Sequence, residues 1–261
     1  MARIQAVLFD LGGTLIESRR AEACGAWWRP RGHTVHPEAV RAALYRTDHI
    51  FMEHFPAMWR APGPGFHERY WAAVHAELGL AAPPPAVTAG WGGHWMRSAD
   101  AARTLEGLRA AGLRVGLVSN WGPGARETLE ATGLRPLLDA AVFSCELGVG
   151  KPDPGIFLAA ARALGVPPRR CLHVGDNCWD DVAGSLAAGM RPVLLHRHPQ
   201  WCAAPAVPAG TRLVTDLDSV LLLVGAPPAR RGQPAGPPRP ALAAPQAGLD
   251  AAPAPKAAIL S

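Results

Sequence analysis

Asp10, Ser119, Lys151 and Asp176 each stand just beyond a short apolar run in this 261-residue chain. Ala6-Val7-Leu8-Phe9 leads into Asp10, and Leu113-Arg114-Val115-Gly116-Leu117-Val118 into Ser119. Ala141-Val142-Phe143-Ser144 reaches Lys151 through Gly148-Val149-Gly150, and Cys171-Leu172-His173-Val174 ends in Gly175-Asp176. Runs this short, rich in β-branched and aromatic residues, read as buried strands rather than core helices. The four side chains form a set suited to phosphoryl transfer. Asp10 is an anionic nucleophile. Ser119 offers a hydroxyl to a phosphoryl oxygen. Lys151 neutralises the repulsion between two anions that must meet. Asp10 and Asp176 make a hard, oxygen-rich site of the kind Mg²⁺ prefers.

The setting of each residue supports that reading. Gly12 and Gly13 follow Asp10 directly, and glycines let the backbone turn sharply beside a ligand. An Asp-Gly turn that merely ends a strand is the competing interpretation. Lys151 is one of two lysines against 24 arginines, and Lys256 is the other. Arginine replaces lysine well on a surface but poorly where a compact ammonium charge is required. Gly148-Val149-Gly150-Lys151 is no phosphate-binding P-loop, because Cys145 replaces its first glycine and Pro152 its hydroxyl residue.

Strands must alternate with helices to bring these residues together. Gly112 closes a helix around Leu105 and Leu108, and Gly133 closes one over about 124–132. Asp153 and Pro154 open a third carrying Ile156, Phe157, Ala160 and Leu164, and a fourth is expected from Asp181 to Ala188. Val193-Leu194-Leu195 and Leu213-Val214 supply further strands. The pattern predicts an α/β fold, a doubly wound parallel sheet whose strand ends share one crevice. Between Leu15 and residue 113 no strand texture is expected. Pro37 to Phe55 carries apolar residues at helical spacing, and Phe66, Tyr70, Val74 and Leu78 recur every four residues. Residues 17–92 therefore read as a helical cap, with Trp27, Trp28, Phe51, Trp59 and Trp71 as its core. The α/β core then comprises residues 1–16 and 93–225. Residues 226–261, with nine prolines, read as a disordered tail.

Composition removes several function classes. No stretch approaches the roughly 20 apolar residues of a membrane span. The net charge is +5, of which +3 lies in residues 226–261, so no nucleic-acid footprint is expected. The N-terminal apolar run is too short for a secretory leader. Five cysteines without CxxC or His–Cys metal spacing read as free thiols of a cytoplasmic protein.

Asp10-Leu11-Gly12-Gly13-Thr14, Val118-Ser119-Asn120, Gly150-Lys151-Pro152-Asp153-Pro154 and His173-Val174-Gly175-Asp176-Asn177-Cys178-Trp179-Asp180-Asp181 together resemble the haloacid-dehalogenase-like (HAD) superfamily. The resembling branch carries a helical cap after the first motif. The resemblance implies that Asp10 forms an aspartyl-phosphate that water hydrolyses. Ser119, Asn120 and Lys151 would hold the phosphate, and Asp10, Asp176 and the Gly12 backbone carbonyl would hold Mg²⁺. Asp181, or else Asp180, would support the metal from behind. For these two, a helix-N-terminal carboxylate is the equal alternative. His173 and Cys171 read as strand packing.

One departure stands out. HAD phosphatases usually carry a second aspartate where this chain has Gly12, and its carboxyl serves as acid and base. Relatives that form a Schiff base need a cap lysine, which is missing here. Dehalogenases of the superfamily characteristically lack the metal aspartate, whereas Asp176 is present. The expected function is a Mg²⁺-dependent hydrolase of a small phosphate monoester, with turnover reduced by the loss at Gly12. The alternative is a HAD-like protein that binds a phosphorylated ligand or a protein partner with little turnover. The expected partner is a small phosphorylated metabolite, without nucleic acid or membrane. Arg19, Arg20, Trp27 and Trp28 are the candidates for specificity.

Overall fold

The computed structural model describes residues 3–55, 57, 63–81 and 95–226; the expected tail from 227 onward and Trp59 lie outside the described residues. Six parallel strands form the central sheet: β1 (Ala6–Phe9), β4 (Arg114–Ser119), β5 (Ala140–Phe143), β6 (Cys171–Gly175), β7 (Arg191–Leu195) and β8 (Arg212–Val214). Their order is β5-β4-β1-β6-β7-β8, so β1 is interior, and the chain reverses direction across it. Val7 pairs with Val115 on one side and Leu172 on the other. A strand hydrogen-bonded on both edges and covered on both faces must be apolar throughout, as Ala6-Val7-Leu8-Phe9 is.

The period of two along β1 builds two core layers. Val7 and Phe9 face Leu105, Leu108, Val115 and Leu117, beneath α4 (Ala101–Ala110) and α9 (Asp218–Leu223). Ala6 and Leu8 face Ile156, Phe157, Ala160 and Leu164 of α7 (Pro154–Leu164). Gly116 permits that second contact, since a Cβ there would lie 2.6 Å from Leu8 Cδ2. The start of α7 follows the sequence reading: the Asp153 carboxylate accepts from the Gly155 N–H at 2.7 Å, with Pro154 next.

Between β1 and β4 the chain leaves the sheet. Helices α1 (Arg20–Trp28), α2 (Pro37–His54) and α3 (Phe66–Glu77) pack around Trp28, Leu44, Phe51, Tyr70 and Val74, a cluster separate from the two sheet layers. Strands do occur here, contrary to expectation. β2 (Ile16–Ser18) pairs antiparallel with β3 (Trp95–Arg97), Glu17 opposite Met96. Three residues are too few for alternation to register in a sequence. This ladder joins the exit from the sheet to the return.

Three smaller differences have local causes. Ser144 opens α6 (Ser144–Leu147) rather than ending β5, and its Oγ accepts from the Trp121 N–H at 3.0 Å. The helix expected from Asp181 begins earlier, as a π-helical turn over Cys178–Ala183 that runs into α8 (Gly184–Ala187). The Asn177 side chain sets that start by accepting from the N–H groups of Trp179 and Asp180 at 2.8 and 3.0 Å. Finally, Ala226 is buried, and its N–H bonds to Leu221 O at 2.9 Å, so the folded part includes it. Helix α5 (Ala125–Ala131) follows the sequence reading to within a residue.

Candidate active site

The carboxyl ends of β1, β4 and β6 and the loop after β5 converge on a cavity of about 760 Å³, roofed by α2 and α3. Asp10, Ser119, Lys151 and Asp176 all line it. Lys151 Nζ lies 2.6 Å from Asp10 Oδ1 and 2.7 Å from Asp181 Oδ1, and is almost wholly buried. Ser119 Oγ donates to the same Asp10 oxygen at 3.2 Å. Both contacts engage Oδ1, so Oδ2 is the oxygen that neither Lys151 nor Ser119 holds.

Asn120 lines the same cavity. Its side chain spends both ends on the backbone of Lys151, accepting from its N–H at 2.7 Å and donating to its carbonyl at 2.9 Å. It clamps the loop that carries the lysine. Asp181, rather than Asp180, is the aspartate inside the cluster. It accepts from Lys151, from His173 Nε2 at 2.9 Å and from the Asn177 N–H at 3.1 Å. Only Asp181 joins Asp10 and Asp176 in a group whose carboxylate oxygens lie within 4.8 Å of one another. Asp180 is buried on the wall of the same cavity. His173, expected to be only strand packing, is the residue sequence reasoning missed. It also packs edge-on to Phe157. A histidine two residues from a strand's carboxyl end, four before an asparagine cap, was the available signal.

The electrostatics are those of an anion cluster short of positive charge. Burial pushes the Asp10 carboxyl up, Lys151 opposes that, and Asp181 adds to it. Burial, then Asp10 and Asp181, push Asp176 well above the usual carboxylate range. Burial alone would pull the Lys151 ammonium down, but Asp10 and Asp181 outweigh it and hold it protonated. Asp181 goes the other way, because Lys151 and His173 outweigh its burial. With all three carboxyls ionised against one ammonium, the cluster would carry two excess negative charges; that excess is what raises Asp10 and Asp176, and it suits a divalent cation bound by oxygen. The backbone is shaped for it. Gly13 has φ 77°, and a Cβ there would fall 2.1 Å from Asp176 Oδ2. At Gly175 a Cβ would strike the Asp181 carboxylate at the same distance, 2.1 Å. Glycine is required at both points by close approach.

Gly12 has ordinary backbone torsions, and its open side faces aromatic rings. A Cβ would meet Trp121 Cζ3 at 3.2 Å and Trp95 Cη2 at 3.6 Å. These two indoles pack with centroids 5.0 Å apart, over the position where the usual second carboxyl would lie. Of the residues expected to set specificity, Arg20 lines the cavity but is committed to Asp48 and, at 2.9 Å, to the Tyr70 hydroxyl. Arg19 is exposed, and Trp28 is buried in the cap, donating to His75 Nε2 at 3.2 Å. Trp71, Trp95, Trp121 and Trp201 line the cavity instead.

Residues 4–189 match the family model for haloacid dehalogenase-like hydrolases. The chain belongs to that family. Phosphoserine phosphatase of Thermus thermophilus is 39% identical over 99 residues, covering 38% of this chain and 40% of that protein. (S)-2-haloacid dehalogenase 4A of Burkholderia cepacia is 36% identical over 110 residues, 41% of this chain and 47% of that one. The chain thus aligns with less than half the length of these curated relatives. Among solved structures, the HAD phosphatase of Thermococcus onnurineus superposes with TM-score 0.56 at 22% identity, over 87% of this chain and all of that one. That likeness concerns the fold. Among the described residues, no helix is long and apolar enough to cross a membrane.

Proposed function

We propose that this HAD-family hydrolase is a Mg²⁺-dependent phosphatase of a small phosphate monoester, acting through an aspartyl-phosphate on Asp10. One observation carries the reading: Lys151 Nζ bridges Asp10 and Asp181 beside Asp176, on the floor of the cavity. Relatives named as phosphatases add support.

Asp10, Asp176 and the Gly12 carbonyl would hold the ion, with Asp181 fixing Lys151 and the Asp176 loop behind them. When bound, the ion supplies charge neutralisation for the phosphoryl oxygens. The chain's own groups do the rest. Lys151 and Ser119 fix Asp10 through Oδ1 and aim Oδ2 at phosphorus. An Asp10 oxygen bonds to phosphorus as the ester oxygen leaves with the electron pair and takes a proton. Water then cleaves the aspartyl-phosphate, restoring the carboxylate and releasing phosphate. Asn120 keeps the lysine loop in register through its two backbone contacts. No carboxyl occupies the Gly12 side chain position, so the leaving oxygen must be a good leaving group or draw its proton from water or substrate.

Trp121 over Gly12 favours a second reading, a HAD-like binder of a phosphorylated ligand or protein partner with little turnover. Phosphate release from a panel of monoesters, with and without Mg²⁺, separates the two, with 2-chloropropionate included as a halide source. Mg²⁺-dependent phosphate release that vanishes in Asp10→Asn is expected. Ligand binding without release supports the second reading, and halide release would overturn both.

A further inference from the structure

His49, His196 and Cys202 come from separate places: helix α2 of the cap, the end of β7, and the loop beyond it. A ring nitrogen of each histidine and the sulfur of Cys202 lie within 4.8 Å of one another. Both rings are held as metal-binding imidazoles usually are, with one nitrogen tied to a backbone carbonyl. His49 Nδ1 lies 2.9 Å from Tyr45 O, and His196 Nε2 lies 2.9 Å from Cys202 O. A carbonyl only accepts, so those nitrogens carry the hydrogens, and each ring keeps a lone pair on the other.

We infer that these residues form a second cation site, a His₂Cys site for Zn²⁺ or a similar d-block ion, distinct from the all-oxygen Asp cluster. Imidazole and thiolate select that class of ion, and carboxylates select Mg²⁺. Zn²⁺ binds nitrogen at about 2.0–2.1 Å and sulfur at about 2.3 Å, so tetrahedral ligands sit about 3.5 Å apart. The three atoms lie within 4.8 Å of one another, so they must draw together by no more than about 1.3 Å. His196 is anchored, its N–H bonded to Val214 O at 2.8 Å. Any contraction falls on His49, carried by α2, and on the loop that carries Cys202. Binding converts the Cys202 thiol to thiolate and releases its proton. The Tyr45 hydroxyl, 3.1 Å from His196 Nδ1, gives way to the ion. Tyr45 and His49 line the same cavity as Asp10, so the ion clasps the cap to the core along one wall of the active site.

The test is a Co²⁺ titration of the full chain in excess Mg²⁺, followed by absorption. One equivalent should give tetrahedral visible bands and a near-ultraviolet thiolate-to-cobalt band. Cys202→Ser should lose the thiolate band with an unchanged circular dichroism spectrum, whereas Cys178→Ser and Asp176→Asn should keep it. Competition with a chromophoric chelator should show Zn²⁺ binding weakened at least about tenfold in His49→Ala, the one ligand from the cap. Absence of the thiolate band in the wild type, or its survival in Cys202→Ser, overturns the site. Unchanged Zn²⁺ affinity in His49→Ala overturns the clasp. None of these readouts depends on phosphatase activity.

Discussion

Gly12→Asp restores the carboxyl that phosphatases of this family normally place two residues after the nucleophile. A positioned general acid contributes roughly 10²–10⁴ in rate, or about 2.7–5.4 kcal/mol of barrier. Backbone strain does not oppose the change, because Gly12 lies outside the left-handed region. Trp121 does, since a new Cβ 3.2 Å from its ring forces the indole to yield by a few tenths of an ångström. Overpacking of this kind costs about 1–3 kcal/mol. Taken at the middle of both ranges, the difference is about 2 kcal/mol, an expected gain of about thirtyfold for alkyl phosphates, whose alkoxide needs a proton. A nitrophenyl ester should gain less, because its leaving group departs unaided. Gly12→Asp combined with Trp121→Leu relieves the crowding and should exceed the single variant on alkyl esters. The assay is kcat/KM on both ester types, with Mg²⁺ affinity measured by calorimetry in parallel. A wild type that already turns over alkyl phosphates briskly, and a Gly12→Asp that slows them with metal affinity intact, would refute the reasoning. The proton would then come from another group on the cavity wall.

Four further outcomes follow from the same geometry. Lys151→Arg should lose at least about a hundredfold in turnover, because a broad guanidinium cannot meet two carboxylates at 2.6 and 2.7 Å in so buried a position; near wild-type kinetics would make the lysine dispensable. Gly13→Ala should abolish Mg²⁺ binding seen by calorimetry, since its Cβ would strike Asp176. Asp100→Asn should cost about 3 kcal/mol in a urea melt, because Asp100 holds Arg197 at 3.0 Å through two contacts and caps the Leu217 N–H. Burial raises the Asp100 carboxyl, but Arg197 and Leu217 outweigh it and leave it below 3.8; its contribution is thus complete above that value, and the gap between wild type and Asp100→Asn should close only as pH falls through the depressed native value. A chain ending at Ala226 should match the full chain in thermal midpoint and turnover, and a fall of many degrees would show that the later residues dock.

The fold was legible because each strand of the sheet carries its own local pattern. Short, mostly apolar runs followed by a polar residue at the carboxyl end suffice to mark β1, β4 and β6, and Gly112 and Gly133 punctuate helices between them. Where strands shrink to three residues, as in β2 and β3, the alternation that marks a strand has no length in which to show. Asn120 and Asp181 illustrate a second limit. Sequence places both beside the chemistry, yet their roles depend on which backbone atom or ammonium they reach. Asn120 closes on Lys151 across 31 positions, a relation that no local spacing encodes.

The His49–His196–Cys202 group shows where spacing rules end. Those rules find chelates whose ligands share one helix or one loop, and a chain without a CxxC or His–Cys interval reads as one whose cysteines are free thiols. Here the ligands meet only because α2 packs against the turn after β7, where Tyr45 contacts His196 from 151 positions away. Such a site costs nothing to conceal in sequence and couples directly to cap position. An ion bound by one shell alone, such as the Asp cluster on the core strands, reports on chemistry. An ion held jointly by cap and core must be gained or lost whenever the cap moves, so its affinity measures closure of the cavity above Asp10.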